Sequence, residues 1–351
     1  MKKFFLAALA IAAIASCTKN EVVSVPEQSE ITFQTVATKA AEPFDTDNKF
    51  ISYAWFLQKD DDWANDNATS SAYISGAEIK YNSTLKAWKA TDTYYWPKQG
   101  SLTFFAWTVT TTATPSLTGA TVGCTNTEGI TVTTAYDLTQ NKNVDFMVAD
   151  IKADQTDNTT TISPWKAGVP TVFRHALSKL EFKVVTVDNG GDPKDYSSED
   201  VSFTLKSIAL TGVNNNKTYA QGIDDIADHT WTEASPVVEI ASLPVYTNAT
   251  GLPVTNIEQK LTPSGDDYYI VLPQAMDVDD ELVITYDITT DYTGSPVTET
   301  VSQSVKLSEI YPSDWEPTTN YVLTIKLGIK EIYWAPSVEP WTDAPSASTQ
   351  F

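Results

Sequence analysis

Hydrophobic and polar residues alternate over short segments of this chain, and residues 169–187 show the pattern most clearly. Leu180, Phe182 and Val184 alternate with lysine and glutamate side chains, which is the two-residue period of a strand with one buried face. The period recurs in later runs, and no window keeps a 3.6-residue period over three turns. The pattern therefore predicts an all-β protein with little helix, in which repeated short strands form sandwiches.

One of the later runs changes phase along its length. Apolar residues alternate from Val201 to Leu205, but Ile208 and Leu210 continue the alternation with the opposite parity. An extra residue in one strand of a pair shifts the parity in this way, so a β-bulge is expected near Ser207.

The first 16 residues predict a signal peptide. Lys2 and Lys3 precede the apolar run Phe4–Ala15, which is too short to cross a bilayer. The run ends in Ile14-Ala15-Ser16-Cys17, the pattern of a bacterial lipobox. Cys17 is therefore expected to carry two or three acyl chains, which give stable membrane anchoring. The alternative is an ordinary signal peptide followed by a chance cysteine.

A short strand with one wet face is predicted at Glu30–Ala37, where Ile31 and Phe33 alternate with polar residues. Small residues follow it, and among them Lys39 precedes Ala40. A trypsin-like protease could reach a lysine in such a flexible context. The alternative is an inert loop lysine.

The C-terminal residues 331–351 combine apolar side chains with prolines. Ile332, Trp334 and Val338 fall at alternate positions, so an extended segment would present them along one face. Prolines lack the backbone N–H, which excludes this segment from the centre of its own sheet. Two interpretations stay open: a C-terminal strand with a frayed end, and a strand that is donated to a neighbouring molecule.

Composition and charge narrow the functional classes. The chain of 351 residues is long enough for two domains, and 42% of its residues are hydrophobic, so it can build a sizeable core. The formal net charge of −22 repels nucleic acid and anionic lipid headgroups, so neither is an expected partner. Such a surface suits an abundant extracellular protein.

The motifs of catalysis and metal binding do not occur in the sequence. His175 and His229 lie outside any nucleophile motif and are interpreted as structural histidines. Cys124 is interpreted as a small residue at a strand end, with no disulfide partner if Cys17 is lipidated. The acidic run Asp277–Glu281 could hold calcium, but it lacks the spacing of an EF-hand. No catalytic residue, metal site or cofactor is predicted.

Five loose motifs occur in a fixed order over nearly the whole chain. They are Y-W-P with L-T-F-F-A-W, D-F-M-V-A, F-R-H-A-L-S-K-L-E-F-K-V, Y-Y-I-V-L-P-Q and W-E-P-T-T-N-Y-V-L-T-I-K-L. Together with the lipobox, this collinear set resembles the fimbrillins of Bacteroidales, the subunits of type V pili. The resemblance implies two tandem transthyretin-like (Greek-key) β-sandwich domains in a structural protein that is not an enzyme.

The resemblance also implies a division of the chain. Residues 1–16 would be the lipoprotein signal peptide, and residues 17–39 a lipidated pro-segment with a removable first strand. The N-terminal domain would span residues 40–168, the C-terminal domain 169–330, and the candidate donor strand 331–351. The precursor would be held at the outer membrane by the lipid on Cys17.

Cleavage and assembly follow from the same resemblance. A processing protease would cut between Lys39 and Ala40, and the subunit would join copies of itself or related subunits in an extracellular fimbrium that contributes to adhesion. The removed strand would vacate the pockets of its two apolar residues, Ile31 and Phe33. A neighbour would refill these pockets with its tail residues Ile332, Trp334 and Val338.

Three features keep other possibilities open. The processing site of the family is often an arginine, whereas the candidate here is Lys39, so the protease is not defined. A surface glycan-binding lipoprotein with two β-sandwich modules is the alternative function, because the ten tryptophans could stack on sugars. A secreted hydrolase is the third possibility, since carboxylate pairs for glycoside hydrolysis are defined only in three dimensions.

Overall fold

The protein is described by a computed structural model over residues 29–35, 44–109, 111–157, 168–224, 228–291, 293–311 and 313–329, with the backbone alone for 332–340. The all-β prediction is confirmed. The strands of the first half are β1 Phe33–Thr35, β2 Lys49–Leu57, β3 Ser71–Asn82, β4 Ala87–Ala90, β5 Ser101–Val109, β6 Val122–Thr125, β7 Gly129–Asp137, β8 Phe146–Ala149, β9 Lys152–Gln155, β10 Val169–Thr171 and β11 Phe173–His175.

The second half of the chain continues the β-structure. Its strands are β12 Ser178–Thr186, β13 Val201–Thr211, β14 Asn216–Ala220, β15 Thr230–Glu233, β16 Leu243–Val254, β17 Gln259–Lys260, β18 Ile270–Val271, β19 Glu281–Thr290, β20 Val297–Lys306, β21 Thr319–Leu327 and β22 Ile332–Pro340. Helical structure in the described residues consists of α1 Trp63–Asp66, α2 Leu307–Ile310 and two short 3-10 turns, Asn67–Thr69 and Ser197–Glu199. In these ranges, no helix has the length and apolar character needed to span a bilayer.

The strands form four sheets. Sheet A has nine strands in the order β10-β1-β4-β3-β2-β5-β8-β11, with β9 paired to β5. Sheet B has the order β15-β14-β7-β6. Sheet C has the order β17-β12-β21-β22, with β18 also paired to β12, and sheet D has the order β16-β13-β19-β20.

Sheet A curls until its two ends meet. Its end strands, β10 and β11, are joined by one residue, Val172, so the opposite edges of the sheet are held together by the chain itself. The curled sheet encloses a hydrophobic cluster, called here the inner core. Its buried members are Ile31, Phe33, Phe50, Ala54, Ile74, Ile79, Trp88, Ala90, Trp96, Leu102, Phe104, Ala106, Ala149 and Val169.

Strands from the second half of the chain complete sheet B. Strand β14 pairs antiparallel with β7, and β15 pairs with β14. The rings of Phe146 and Tyr219 lie edge to face with centroids 5.2 Å apart, which packs sheet A against sheet B. Hydrogen-bonded strands therefore cross the proposed division at residue 169 in both directions, since β10 and β11 also belong to sheet A.

The predicted bulge in β13 is confirmed. The register of β13 shifts between Leu205 and Ser207 against both of its neighbours, β16 and β19. On either side of the shift Leu205 and Ile208 are both fully buried. The bulge thus keeps apolar residues of both parities in the core.

Candidate functional site

The first strand, β1, is an interior strand of sheet A. It pairs parallel with β10 on one side and antiparallel with β4 on the other, where Phe33 lies opposite Trp88. The Val169 N–H donates to the Thr32 carbonyl at 2.8 Å, and the Ile31 N–H donates to the Tyr94 carbonyl at 2.8 Å. Both edges of the first strand are therefore hydrogen-bonded.

The two predicted anchor residues of this strand are buried in the inner core. Ile31 is 3% exposed and Phe33 is 2% exposed. The ring of Phe33 lies edge-on to the rings of Phe50 and Phe104, with centroids 5.7 Å away in each case. Burial of each anchor contributes roughly 1.5–3 kcal/mol. Removal of this strand would leave a groove lined by the rings of Phe50 and Phe104.

Two details of the predicted first strand differ from the structure. The ladder covers Phe33–Thr35, whereas Glu30 forms an isolated bridge with Tyr95. Glu30 pairs with Tyr95, whereas Phe33 pairs with β4 and β10, so the segment does not form one continuous ladder. The opposite face is half-buried rather than wet, because Gln34 is covered by its neighbours. Residues 36 and 37 lie outside the described residues.

A lysine pair lies beside the first strand. Lys89 of β4 forms a salt bridge with Glu30, and the two side chains are 21% and 27% exposed. Lys80 of β3 lies directly opposite Lys89 in the ladder. Departure of the first strand would remove the carboxylate of Glu30 and leave two neighbouring cations on a strongly acidic protein.

Strand β10 forms the outer wall of the groove, and in the described residues its only ladder partner is β1. Gly168, just before β10, allows the two backbones to approach closely. A Cβ at this position would lie 3.0 Å from the Phe33 carbonyl carbon and 3.2 Å from the Thr32 oxygen. The presence of β10 in sheet A therefore depends on the first strand.

The tail forms an edge strand of sheet C in the same molecule. The backbone of β22 runs antiparallel to β21, from Leu327 opposite Ile332 to Thr319 opposite Pro340. An edge position agrees with the exclusion of the prolines from a sheet centre. Trp334 and Val338 lie in this strand. Residues 341–351 lie outside the described residues, as do Cys17, Lys39 and Ala40.

His175 lies at the end of β11, between the two halves of the chain. Its Nδ1 is 2.9 Å from Asp145 Oδ1. The neighbouring Arg174 donates two hydrogen bonds to Asp150, at 2.6 and 3.0 Å. These pairs join β11 to the residues that flank β8 at its two ends, Asp145 and Asp150. Their role is structural, since no nucleophile lies in the set.

His229 and Cys124 are covered by their neighbours. Tyr219 lies 2.8 Å from His229 Nδ1, and burial, followed by the charge of Arg174, lowers the pKa of His229 to about 4. Burial raises the pKa of the Cys124 thiol to about 12, so it is not a thiolate at neutral pH. Neither residue has the properties of a catalytic group.

Other candidate chemistry finds no support in the described ranges. They contain no group of three or more His, Cys, Asp or Glu side chains that could hold a metal ion. In the predicted acidic run, the Asp280 carboxylate accepts the Asp277 N–H at 2.7 Å and so closes its own turn. No tryptophan side chain in these ranges is exposed, and five of them are buried: Trp63, Trp88, Trp96, Trp107 and Trp315.

Comparison with known proteins gives a family match. The family model described as fimbrillin-like matches residues 35–341. A search of curated proteins gave no significant match. Among solved structures, a fimbrial protein from Bacteroides vulgatus shares 18% identity with a TM-score of 0.61, covering 89% of this chain and 99% of that one. The tip fimbrial protein Mfa3 from Porphyromonas gingivalis shares 11% identity with a TM-score of 0.41, covering 89% of this chain and 100% of that one.

Proposed function

Because the chain belongs to the fimbrillin-like family, a family of structural rather than enzymatic proteins, we propose that it is a fimbrial subunit that polymerises by strand exchange. The observation that carries the proposal is the burial of Ile31 and Phe33 in a strand held on both edges. This strand precedes Lys39 in the chain. Cleavage between Lys39 and Ala40 would separate it covalently from everything that it packs against.

The driving force is the cost of an empty groove. Loss of two buried anchors and their ladder hydrogen bonds removes a large part of a typical folding stability of about 5–15 kcal/mol. The tail of a neighbour would restore both, with Ile332, Trp334 and Val338 facing the vacated pockets. Head-to-tail donation does not close on itself, so it produces a filament.

The precursor holds both strands in the same molecule. The tail is paired along β21 and the first strand is paired in sheet A, so neither is available before processing. Lipidation of Cys17 would keep this closed form on the outer membrane until the protease acts. The subunit would then enter the extracellular fimbrium, where it contributes to adhesion.

The test is assembly after controlled cleavage. A recognition sequence for a site-specific protease is inserted after Lys39, and oligomers are followed by denaturing gel ladders and electron microscopy. Cleaved protein should form ladders, and deletion of residues 332–351 should abolish them. Trp334→Asp should act like the deletion. The matched control Tyr333→Asp changes the adjacent position, which has the opposite parity, and should assemble. Ladders from the truncated protein would refute the tail as donor.

A further inference from the structure

We infer that the tail enters the groove in one register, with Glu331 at the position of Glu30 and bound by Lys89, so that the occupant is a second copy of this chain. The inference rests on the proposed strand exchange and adds its register, its direction and a residue that selects it. The register is inferred from the match between two segments of four residues each. Residues 30–33 read Glu-Ile-Thr-Phe, and residues 331–334 read Glu-Ile-Tyr-Trp.

The two segments carry the same chemistry at three of four positions, the glutamate, the isoleucine and the aromatic residue, and differ where Tyr333 corresponds to Thr32. Ile332 would replace Ile31, and Trp334 would replace Phe33 among aromatic rings. Glu331 would place a carboxylate beside Lys89, which is bound to Glu30 in the precursor. The replaced strand runs parallel to β10 and antiparallel to β4, and an aligned tail keeps that direction.

The neighbouring registers fail on physical grounds. A strand that slips by one residue turns its apolar side chains to the wrong face, so only even shifts remain. A shift by two residues in one direction would put Pro336 at the position of Phe33. The strand is paired there with both β4 and β10, so the missing N–H of proline would break the ladder. The opposite shift places Lys330 at the position of Ile31, which is 3% exposed and would bury a charge.

In the inferred register, Pro336 lies at the end of the ladder, where a missing N–H disrupts the pairing least. Pro336 takes the position of Thr35, the last residue of β1. The missing N–H is then confined to the end of the ladder. The lysine pair supplies the electrostatic part of the selection, because Lys80 and Lys89 lie side by side and only one register presents a carboxylate to them together with both apolar anchors.

A charge exchange between groove and tail tests the register. The full chain carrying Trp334→Asp, which should not assemble by itself, provides the wild-type groove. It is cleaved after Lys39 at the inserted protease site, and binding of labelled peptides spanning residues 328–341 is followed by fluorescence anisotropy. Lys89→Glu should lower the affinity of the cleaved protein for the wild-type peptide by about 3- to 30-fold, because one ion pair is lost and a repulsion between two carboxylates is introduced. The peptide with Glu331→Lys should recover most of that loss on the Lys89→Glu protein.

Two controls make the outcome specific. Lys59→Glu changes the same charge at an exposed loop position and should leave binding of every peptide unchanged. A peptide with Glu339→Lys carries the same charge change at another tail position and should give no recovery. Recovery by the Glu339→Lys peptide, or none by Glu331→Lys, would overturn the register.

A third peptide separates this inference from the proposed function. The protein's own residues 28–37 should rebind the cleaved chain, which establishes that its groove is open. If this peptide binds and no tail peptide does, the tail is not the donor and the proposed strand exchange fails. If the wild-type tail binds and its affinity is the same for Lys89→Glu and wild-type protein, strand exchange stands and the inferred register is wrong.

Discussion

His229 shows how one buried side chain makes this fold sensitive to acid. Its Nε2 is buried without a hydrogen-bond partner in the described residues, and its Nδ1 faces the Tyr219 hydroxyl. Arg174, Asp150 and His175 are the charged or titratable groups whose fields reach it. Burial is the largest effect and favours the neutral ring, so the pKa in the folded protein is about 4 rather than 6.5.

Stability should therefore fall as the pH is lowered from 6.5 towards 4. In this window the unfolded chain takes up a proton at residue 229 that the folded protein does not, which favours unfolding by about 2–3 kcal/mol at the acidic end. His229→Asn removes the titration and tolerates the positive φ of 51°. Urea unfolding of both proteins at pH 7 and pH 4.5 checks this. An equal loss of stability in the variant would show that His229 is not the cause.

Single residues also explain why the candidate site was only partly visible in the sequence. Ile31 and Phe33 were predicted as anchors from alternation, and both are buried. The half-burial of Gln34 was not predicted, because the pattern of one strand does not reveal what covers its polar face. The salt bridge of Glu30 with Lys89 joins residues 59 positions apart in the chain and has no local sequence signal.

Among the elements, β10 is the wall of the groove that depends on the first strand. Its hydrogen-bond ladder is with β1, whereas the next strand, β11, is paired independently with β8. The carbonyl of Val172, which lies between them, accepts a hydrogen bond from the Asp150 N–H at 2.9 Å. Loss of the first strand should thus loosen β10 and leave β11 in place, which would open the groove on one side for the incoming strand.

Gly168→Ala should loosen this wall in the full chain without any change to the first strand. The added Cβ would lie 3.0 Å from backbone of Phe33, a clash that costs about 1–3 kcal/mol. Hydrogen exchange at the Val169 and Thr171 amides should become faster, while exchange of Phe173–His175 stays slow. Gly265→Ala is the matched control, since no atom lies within 4 Å of its added Cβ. Equal exchange rates at Val169 and Thr171 in the two variants would contradict the dependence of β10 on this close approach of the backbones.

At the scale of the whole molecule, the two halves are interlocked rather than joined in series. Strand β14 supplies the neighbour of β7, and the Trp63 indole donates to the Ile223 carbonyl at 3.2 Å. The Gln221 side-chain amide donates to the Ala149 carbonyl at 2.7 Å, deep in the first half. A pulling force along a fibre would therefore act on both halves together.

One cooperative unfolding transition is expected for the full chain. Tyr219 is 3% exposed, so Tyr219→Ala should lower the free energy of unfolding by about 3–5 kcal/mol. Unfolding should still occur in a single transition. Residues 40–168 expressed alone should not fold, because β7 would lose β14. Calorimetry and circular dichroism provide the measurements, and Val297→Ala, at a position 66% exposed, is the control. Two separable transitions in the full chain would refute the interlock.

The sequence by itself determined the strand content, the bulge near Ser207 and the buried anchors of the first strand, because alternation is a local property that burial on one face imposes. The order of the five motifs along the chain added the resemblance to the fimbrillin family. The closure of sheet A through Val172 and the insertion of β14 beside β7 were decided by the tertiary structure alone. They depend on which strand edges meet, and pairing between distant strands leaves no period in either strand's own sequence.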